Sequence, residues 1–180
     1  MKLGIIREGK TPPDKRVPLS PENCSELVKL YPEVEIVVQP SPVRAFTEAQ
    51  YEERGFEINE DLSECDLLLG VKEVPMDMLI PEKKYMFFSH TFKKQPYNRA
   101  LLRTILDKRI QLIDYEVLTD ERGVRVIGFG RYAGIVGAYN ALLAAGKKWG
   151  RYQLKPAHEC EGRKEVESEL KKIDLPANFK

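Results

Sequence analysis

The sequence predicts a doubly wound α/β domain, a mostly parallel sheet with helices on both faces. Two observations lead there. Short runs of β-branched and large apolar residues alternate with segments of helical periodicity, the order in which a parallel sheet is wound. With 180 residues, 42% of them hydrophobic, the chain is long enough for one well-buried core and an appendage.

Strands are expected at residues 3–6, 35–38, 66–71, 85–89 and 111–115, with a further one at 124–127. The first helix is announced by Ser20 as N-cap and Pro21 at the first helical position; its apolar stripe is Cys24, Leu27, Val28 and Tyr31. A second opens at Thr47 with Gln50 three residues on, a capping box. Phe46 and Tyr51 flank it as a hydrophobic staple, and Gly55 ends it. A third carries Pro96 near its start and sets Tyr97, Leu101, Leu102, Ile105 and Leu106 on one face. The fourth, over 133–149, is uncharged until Lys147. Ile135, Val136, Tyr139, Leu142 and Leu143 are its core-facing set. Gly137, Ala141 and Ala144 leave another side bare enough for a second domain or subunit to approach, although a helix buried in this domain alone accounts for the same residues. A naked apolar strip favours a homo-oligomer. Beyond Gly150 the composition turns charged, and the thin stripe Val166, Leu170 and Ile173 predicts a weakly docked helix over 164–172. The expected organisation is a Rossmann-like or flavodoxin-like domain over 1–150 and a charged helical tail over 151–180.

Charged residues make up 32% of the chain but sum to +1, which argues against nucleic acid or an anionic membrane as the main partner. No apolar run approaches the ~20 residues that span a bilayer, and the N-terminus reads as a strand. Cys24, Cys65 and Cys160 are scattered and odd in number, the pattern of reduced thiols in a cytoplasmic protein. His158 and Cys160 lack a second ligand pair, so no metal is expected there and both are read as surface residues.

Three constellations carry ionisable groups at the ends of apolar runs. Arg16 stands in a loop crowded with cations and prolines just before the first helix, placed to grip a carboxylate through two parallel hydrogen bonds, though a solvated loop has the same composition. Lys72 follows Leu67-Leu68-Leu69, where partial desolvation lowers a lysine from its usual ~10.4 toward values useful for proton transfer; Glu73 beside it is an alternative partner. His90 ends another apolar run and is one of two histidines in the chain, the natural proton carrier near neutrality. Each alone is as often structural, but two such groups at the ends of consecutive strands would meet in one crevice. A fourth stretch, Gly128-Phe129-Gly130-Arg131-Tyr132-Ala133, fits the dinucleotide fingerprint between an expected strand and a helix. About twenty positions on, where that fingerprint needs an acid, stand Lys147-Lys148-Trp149, and no second strand follows, so the match is read as coincidental.

As an ordered set these stretches resemble the alanine dehydrogenase/pyridine nucleotide transhydrogenase superfamily over roughly residues 1–150. Gly4-Ile5-Ile6-Arg7-Glu8 with Arg16-Val17-Pro18-Leu19-Ser20-Pro21 is similar to its N-terminal signature, and Gly70-Val71-Lys72-Glu73-Val74-Pro75 to its catalytic-lysine motif. Phe88-Ser89-His90-Thr91-Phe92-Lys93, Asp114-Tyr115-Glu116 and the Gly128–Gly134 run look closest to the lysine-forming saccharopine dehydrogenase branch. The resemblance implies the substrate domain of an NAD(P)-dependent amino-acid dehydrogenase that oxidises an amine to an imine and hydrolyses it. Arg16 would bind a substrate carboxylate, Lys72 and His90 would be the acid–base pair, and Lys93, Glu116 and Arg125 would shape the pocket. It places the glycine run at the start of the interdomain helix, and assigns NAD to a second, Rossmann domain expected beyond residue 180, without which this polypeptide is expected to be inactive. Alanine, saccharopine and other amino-acid substrates all stay open, as do NAD and NADP. Two rivals stand beside this reading: a free-standing nucleotide module using Gly128, Gly130 and Ala133, and a non-catalytic interaction domain using the small-residue helix.

Overall fold

The structure is a computed structural model that describes residues 1–174; the last residues of the expected tail, 175–180, lie outside the described ones. The chain forms two compact units, Met1–Ile127 and Gly128–Lys180.

In the first unit β1 (Lys2–Ile5), β2 (Glu35–Val38), β3 (Glu57–Ile58), β4 (Leu67–Leu69), β5 (Lys84–Phe87) and β6 (Gln111–Asp114) make one sheet in the order β3-β2-β1-β4-β5-β6, with every neighbouring pair parallel. Helices α1 (Pro21–Leu30), α2 (Glu48–Glu52) and α3 (Arg99–Asp107) accompany it. Successive strand residues point to opposite faces. Val37, Leu68, Tyr85 and Phe87 pack with Leu101 and Ile105 of α3 on one side, while Leu3, Ile5, Ile36, Val38 and Leu69 pack with Cys24 of α1 and Tyr51 of α2 on the other. A sheet covered on both faces selects continuous apolar runs such as Leu67-Leu68-Leu69 over strict alternation, and each large side chain so buried contributes roughly 1.5–3 kcal/mol.

The local signals work as their chemistry requires. The Ser20 hydroxyl accepts the Asn23 N–H at 3.2 Å, and Gln50 Oε1 reaches back to the Thr47 N–H at 2.8 Å. Tyr51 is fully buried, with Phe46 packed in the same cluster, and its hydroxyl donates to the Leu19 carbonyl at 2.8 Å. Other expectations fail for identifiable reasons. Tyr31 is the C-cap of α1 and exposed, because the helix has already ended at Leu30. Pro96 opens a 3₁₀ turn, Pro96–Asn98, ahead of α3, and of the five residues assigned to that face only Leu101 and Ile105 are buried. The two-residue β3 is too short to leave a pattern in sequence. Residues 124–127 do not join the sheet: Arg125 bridges antiparallel to Thr119 in a small ribbon turning at Gly123, and Val124 and Val126 are exposed.

The second unit contains α4 (Gly130–Trp149), which starts three residues earlier than expected, and α5 (Arg163–Glu169), continued by the 3₁₀ turn Leu170–Lys172. Tyr139, Tyr152 and Leu154 form its buried centre, joined by Leu142, Leu143, Val166, Leu170 and Ile173, so the charged tail docks through all three residues of its thin stripe. Ile135 and Val136, expected in a core, are exposed, as are Gly137, Ala141 and Ala144. His158 is exposed, whereas Cys160 is half-buried with its thiol 3.6 Å from the Pro156 carbonyl.

Gly146 is where the second unit depends on a missing side chain: a Cβ there would lie 2.6 Å from both the Tyr152 ring and the Tyr152 carbonyl oxygen. Gly146→Ala is therefore expected to destabilise this unit by about 1–3 kcal/mol. Gly137→Ala, in the same helix but facing open space, is expected to stabilise it by roughly 0.5–1 kcal/mol. Urea unfolding followed by fluorescence of Trp149, the one tryptophan in the chain, reads both; equal midpoints for the two variants would contradict the packing.

Candidate active site

The chain builds β2 and β3 to one side of β1, then returns to place β4 on the other side and continues outward to β5 and β6. The loops leaving β1 and β4 therefore diverge at their carboxyl ends, and such a switch point opens a crevice in doubly wound sheets. Residues 8–16 issue from β1 and residues 71–73 from β4.

These two loops are fastened together. Glu8 Oε1 accepts the Val71 N–H at 2.7 Å and its Oε2 accepts the Lys72 N–H at 2.9 Å. Gly9 allows the close approach, since a Cβ there would stand 2.6 Å from Pro75 Cγ. Lys10 Nζ meets Glu73 Oε2 at 2.7 Å, and the other Glu73 oxygen lies 2.7 Å from His90 Nδ1. Glu73 thus pairs with Lys10 and His90. His90 itself has a left-handed backbone, φ 55°, and stacks on Phe88 with ring centroids 6.5 Å apart. Beneath it Ser89, fully buried, hydrogen-bonds Asp114 and Thr91, while Asp114 Oδ1 accepts the Glu116 N–H at 2.9 Å.

Arg16 is forked onto Asp14, with Nε 2.9 Å from Oδ1 and Nη2 bonded to Oδ2. Lys72 is half-buried, and its charge adds to that of Arg16 in favouring the ionised form of Asp14. A second cluster forms beyond β5 and β6: Lys93 Nζ lies 2.9 Å and Arg125 Nη2 3.5 Å from Glu116 Oε1. The Glu116 side chain is only 3% exposed, and its Oε2 has no hydrogen-bond partner among the described residues, so this cluster offers a buried acceptor to a donor from outside.

The carboxylates fall into two electrostatic classes. The hydrogen bond from Arg16 holds Asp14 below the ordinary carboxyl range. Burial alone would push Glu73 up, but hydrogen bonds from Lys10, from its own backbone and from His90 outweigh it and leave the group lowered. Burial raises Glu8 in spite of its two backbone donors. Glu8, Ser89 and Asp114 stand in the stretches that carry the family resemblance, but sequence reasoning assigned no role to them or to Asp14. It also passed over Arg44, whose guanidinium sits 5.6 Å above the Tyr51 ring with Nη1 and Nη2 buried and without hydrogen-bond partners among the described residues. Burial takes the Cys24 thiol up to about 12, the state of an inert core residue.

The glycine run does not fit a dinucleotide. No strand leads directly into it, since β6 ends at Asp114, Gly130 already begins α4, and among the described residues no strand follows that helix. A cavity of about 530 Å³ lies within the second unit against Ile135, Val136, Tyr139, Leu142, Val166 and Leu170, and none of the ionisable residues above lines it. Among the described residues no helix is long and apolar enough to cross a membrane.

Residues 4–136 match the family described as alanine dehydrogenase/PNT, N-terminal domain. The alpha-aminoadipic semialdehyde synthase of Arabidopsis thaliana is 41% identical over 150 residues, which is 81% of this chain and 14% of that protein. The saccharopine dehydrogenase (NAD+, L-lysine-forming) of Emericella nidulans is 30% identical over 151 residues, 80% of this chain and 38% of that one. Among solved structures an L-alanine dehydrogenase superposes with a TM-score of 0.62 at 18% identity, covering 82% of this chain and 40% of that one. A transhydrogenase from Sinorhizobium meliloti gives 0.64 at 17% identity, covering 84% and 45%. At these identities the structural likeness is one of fold. The chain thus spans well under half the length of each of these sequence relatives.

Asp14 and Glu73 carry a pH signature of known sign. A carboxyl lowered in the folded state adds stability that is in place above the ordinary value of about 4 and is lost as pH falls through the lowered value. Glu8, raised by burial, runs the other way: its contribution is present at low pH and is lost as pH rises through the raised value. Asp14→Asn should therefore flatten the loss of thermal stability below about pH 4. Melting curves on a pH series check this, and an unchanged acid limb would mean that the Arg16 pairing contributes nothing to stability.

Proposed function

We propose, starting from the fact that this chain belongs to the alanine dehydrogenase/PNT N-terminal domain family, that it is the substrate-binding and proton-handling domain of an NAD(P)-dependent amino-acid dehydrogenase. Such an enzyme oxidises a CH–NH or CH–NH2 donor to an imine and hydrolyses it. The observation that carries the reading is Glu73: one residue past Lys72, it accepts the Nδ1 proton of His90, so proton carriers from two neighbouring strands are tied into one unit. With Nδ1 so engaged, the neutral ring presents its Nε2 lone pair to water or substrate. Lys72 takes the proton of the reacting nitrogen, and His90 activates the water that attacks the imine. Arg16 receives the substrate carboxylate. Its Nε–Nη2 edge is committed to Asp14, so the incoming anion shares or displaces that partner. Lys93, Glu116 and Arg125 line the far side of the pocket, where the unpartnered Glu116 Oε2 accepts a substrate N–H or O–H.

Identity of 30–41% to proteins named for saccharopine and aminoadipic semialdehyde favours a CH–NH donor of that kind over alanine. Residues 1–150 make up the substrate domain with the interdomain helix, and 151–180 lead toward a nucleotide-binding domain, which holds the NAD(P) that the glycine run of this chain does not. The exposed face of α4 at Gly137, Ala141 and Ala144 receives that domain or a second subunit. Three free thiols support a reducing compartment such as the cytoplasm, although mammalian relatives carry the word mitochondrial in their names.

In the enzyme carrying its nucleotide-binding domain, Lys72→Met and His90→Gln are each expected to lower kcat by about 10²–10⁴-fold, whereas Arg16→Gln should act mainly on KM. Steady-state kinetics with saccharopine and with alanine test this and rank the substrates; wild-type kcat in Lys72→Met would end the assignment.

For the 180-residue chain alone, titration with NADH should show no saturable binding at micromolar concentration. Micromolar affinity abolished by Gly130→Val would put a nucleotide module in place of the substrate domain.

A further inference from the structure

Glu8 has no part in the roles above, yet both of its oxygens are committed to backbone donors of the loop after β4. The β1–β4 ladder ends with the Ile6 N–H donating to the Leu69 carbonyl at 3.0 Å. Past that rung the Val71 and Lys72 N–H groups both find their acceptor in the Glu8 side chain, one on each oxygen. Gly70 keeps the turn close, because a Cβ there would be 2.8 Å from the Ile6 side chain and 3.6 Å from Glu8 Oε1. Two successive N–H groups fixed on one rigid carboxylate set the orientation of the peptide planes on the N-terminal side of the Lys72 Cα. They set the direction in which its side chain leaves the backbone.

We propose that Glu8 is the positioning residue of Lys72, holding the turn from which the lysine amine is presented to the reacting nitrogen without itself touching substrate. The proposal rests on the dehydrogenase reading for what Lys72 does, but the geometry that supports it does not. Ionisation is what the device needs: a neutral carboxyl carries a hydroxyl where one of the two N–H groups requires an acceptor. The charged or titratable side chains that act on Glu8 come from the loops after three strands: Asp14 and Arg16 after β1, Arg44 after β2 and Tyr115 after β6. Burial raises Glu8 toward the range where mild acid protonates it. Presentation of Lys72 should then weaken as pH falls.

The test uses nuclear magnetic resonance on the 180-residue chain and needs no turnover, so it stands or falls apart from the dehydrogenase assignment, which the Lys72→Met kinetics decide. In the unaltered chain the Val71 and Lys72 amide signals should shift with one common midpoint shared by the Glu8 carboxyl carbon. Glu8→Gln, left with a single acceptor, should lose about tenfold or more of the hydrogen-exchange protection at one of the two amides, and Glu8→Ala at both, with the Leu68 amide unchanged. The titration of the Lys72 amine, followed through ¹³C-methylated lysines, should move by about half a pH unit or more in both variants while that of Lys84 stays. Amides and amine that ignore both Glu8 protonation and Glu8 substitution would overturn the proposal. So would a lower melting temperature with the Lys72 titration unmoved, the mark of a structural role alone. If neither variant folds, the pH series on the unaltered chain still decides.

Discussion

Burial on both faces leaves β1, β4 and β5 no place for an ionised group except before their first or beyond their last apolar residue, and the whole site depends on that constraint. Because all strands run the same way, the places so permitted fall on two opposite edges, and the carboxyl edge collects Glu8, Lys72, His90 and Glu116 from four different strands. None of these residues is near another in sequence except through the sheet. The apolar layers therefore do two things at once: they supply the stability, and by excluding charge from the strand interiors they concentrate it where the loops can organise it.

Within that edge the charges are arranged as alternating partners. Arg16 faces Asp14, Lys10 and His90 share Glu73, and Lys93 and Arg125 share Glu116. Half-buried ions of one sign would each bear a desolvation cost that only a ligand could relieve, whereas partnered ions are stable in the empty pocket. An anion entering this edge would gain affinity only by the difference between its own contacts and those it replaced. The buried Glu116 Oε2, without a hydrogen-bond partner among the described residues, is the exception among these carboxylates.

Much of this was legible in the residues themselves. Leu67-Leu68-Leu69 and the run ending at Phe88 announce strands by continuous apolarity, and Lys72 and His90 stand out as ionisable residues directly after them. The expected strand ends overshoot because Gly70 and Val71 leave the β1–β4 ladder for contacts with Met86 and Glu8. Residues 124–127 show strand-like composition yet lie in a ribbon after β6, since two exposed valines give the sheet nothing to bury. Glu8 carries the same signal as Lys72, a charge just past an apolar run, but it sits among Arg7, Gly9 and Lys10 and reads as solvated loop. Its partner lies 63 residues away, and no local pattern encodes a contact that only strand pairing creates. Asp114 was hidden for the related reason that a polar residue at the end of β6 is legible as buried only once Ser89 is seen beside it.

The left-handed backbone of His90 bears on how this position tolerates change. A residue at φ 55° is held where branched side chains collide with their own main chain and where asparagine and glycine sit with little strain. Natural or laboratory drift away from histidine is thereby channelled toward asparagine, which preserves the left-handed turn while removing the imidazole. Valine or isoleucine would disturb backbone and chemistry together. Variants that keep the shape of this domain without an imidazole at this position are then most readily made with asparagine at this turn.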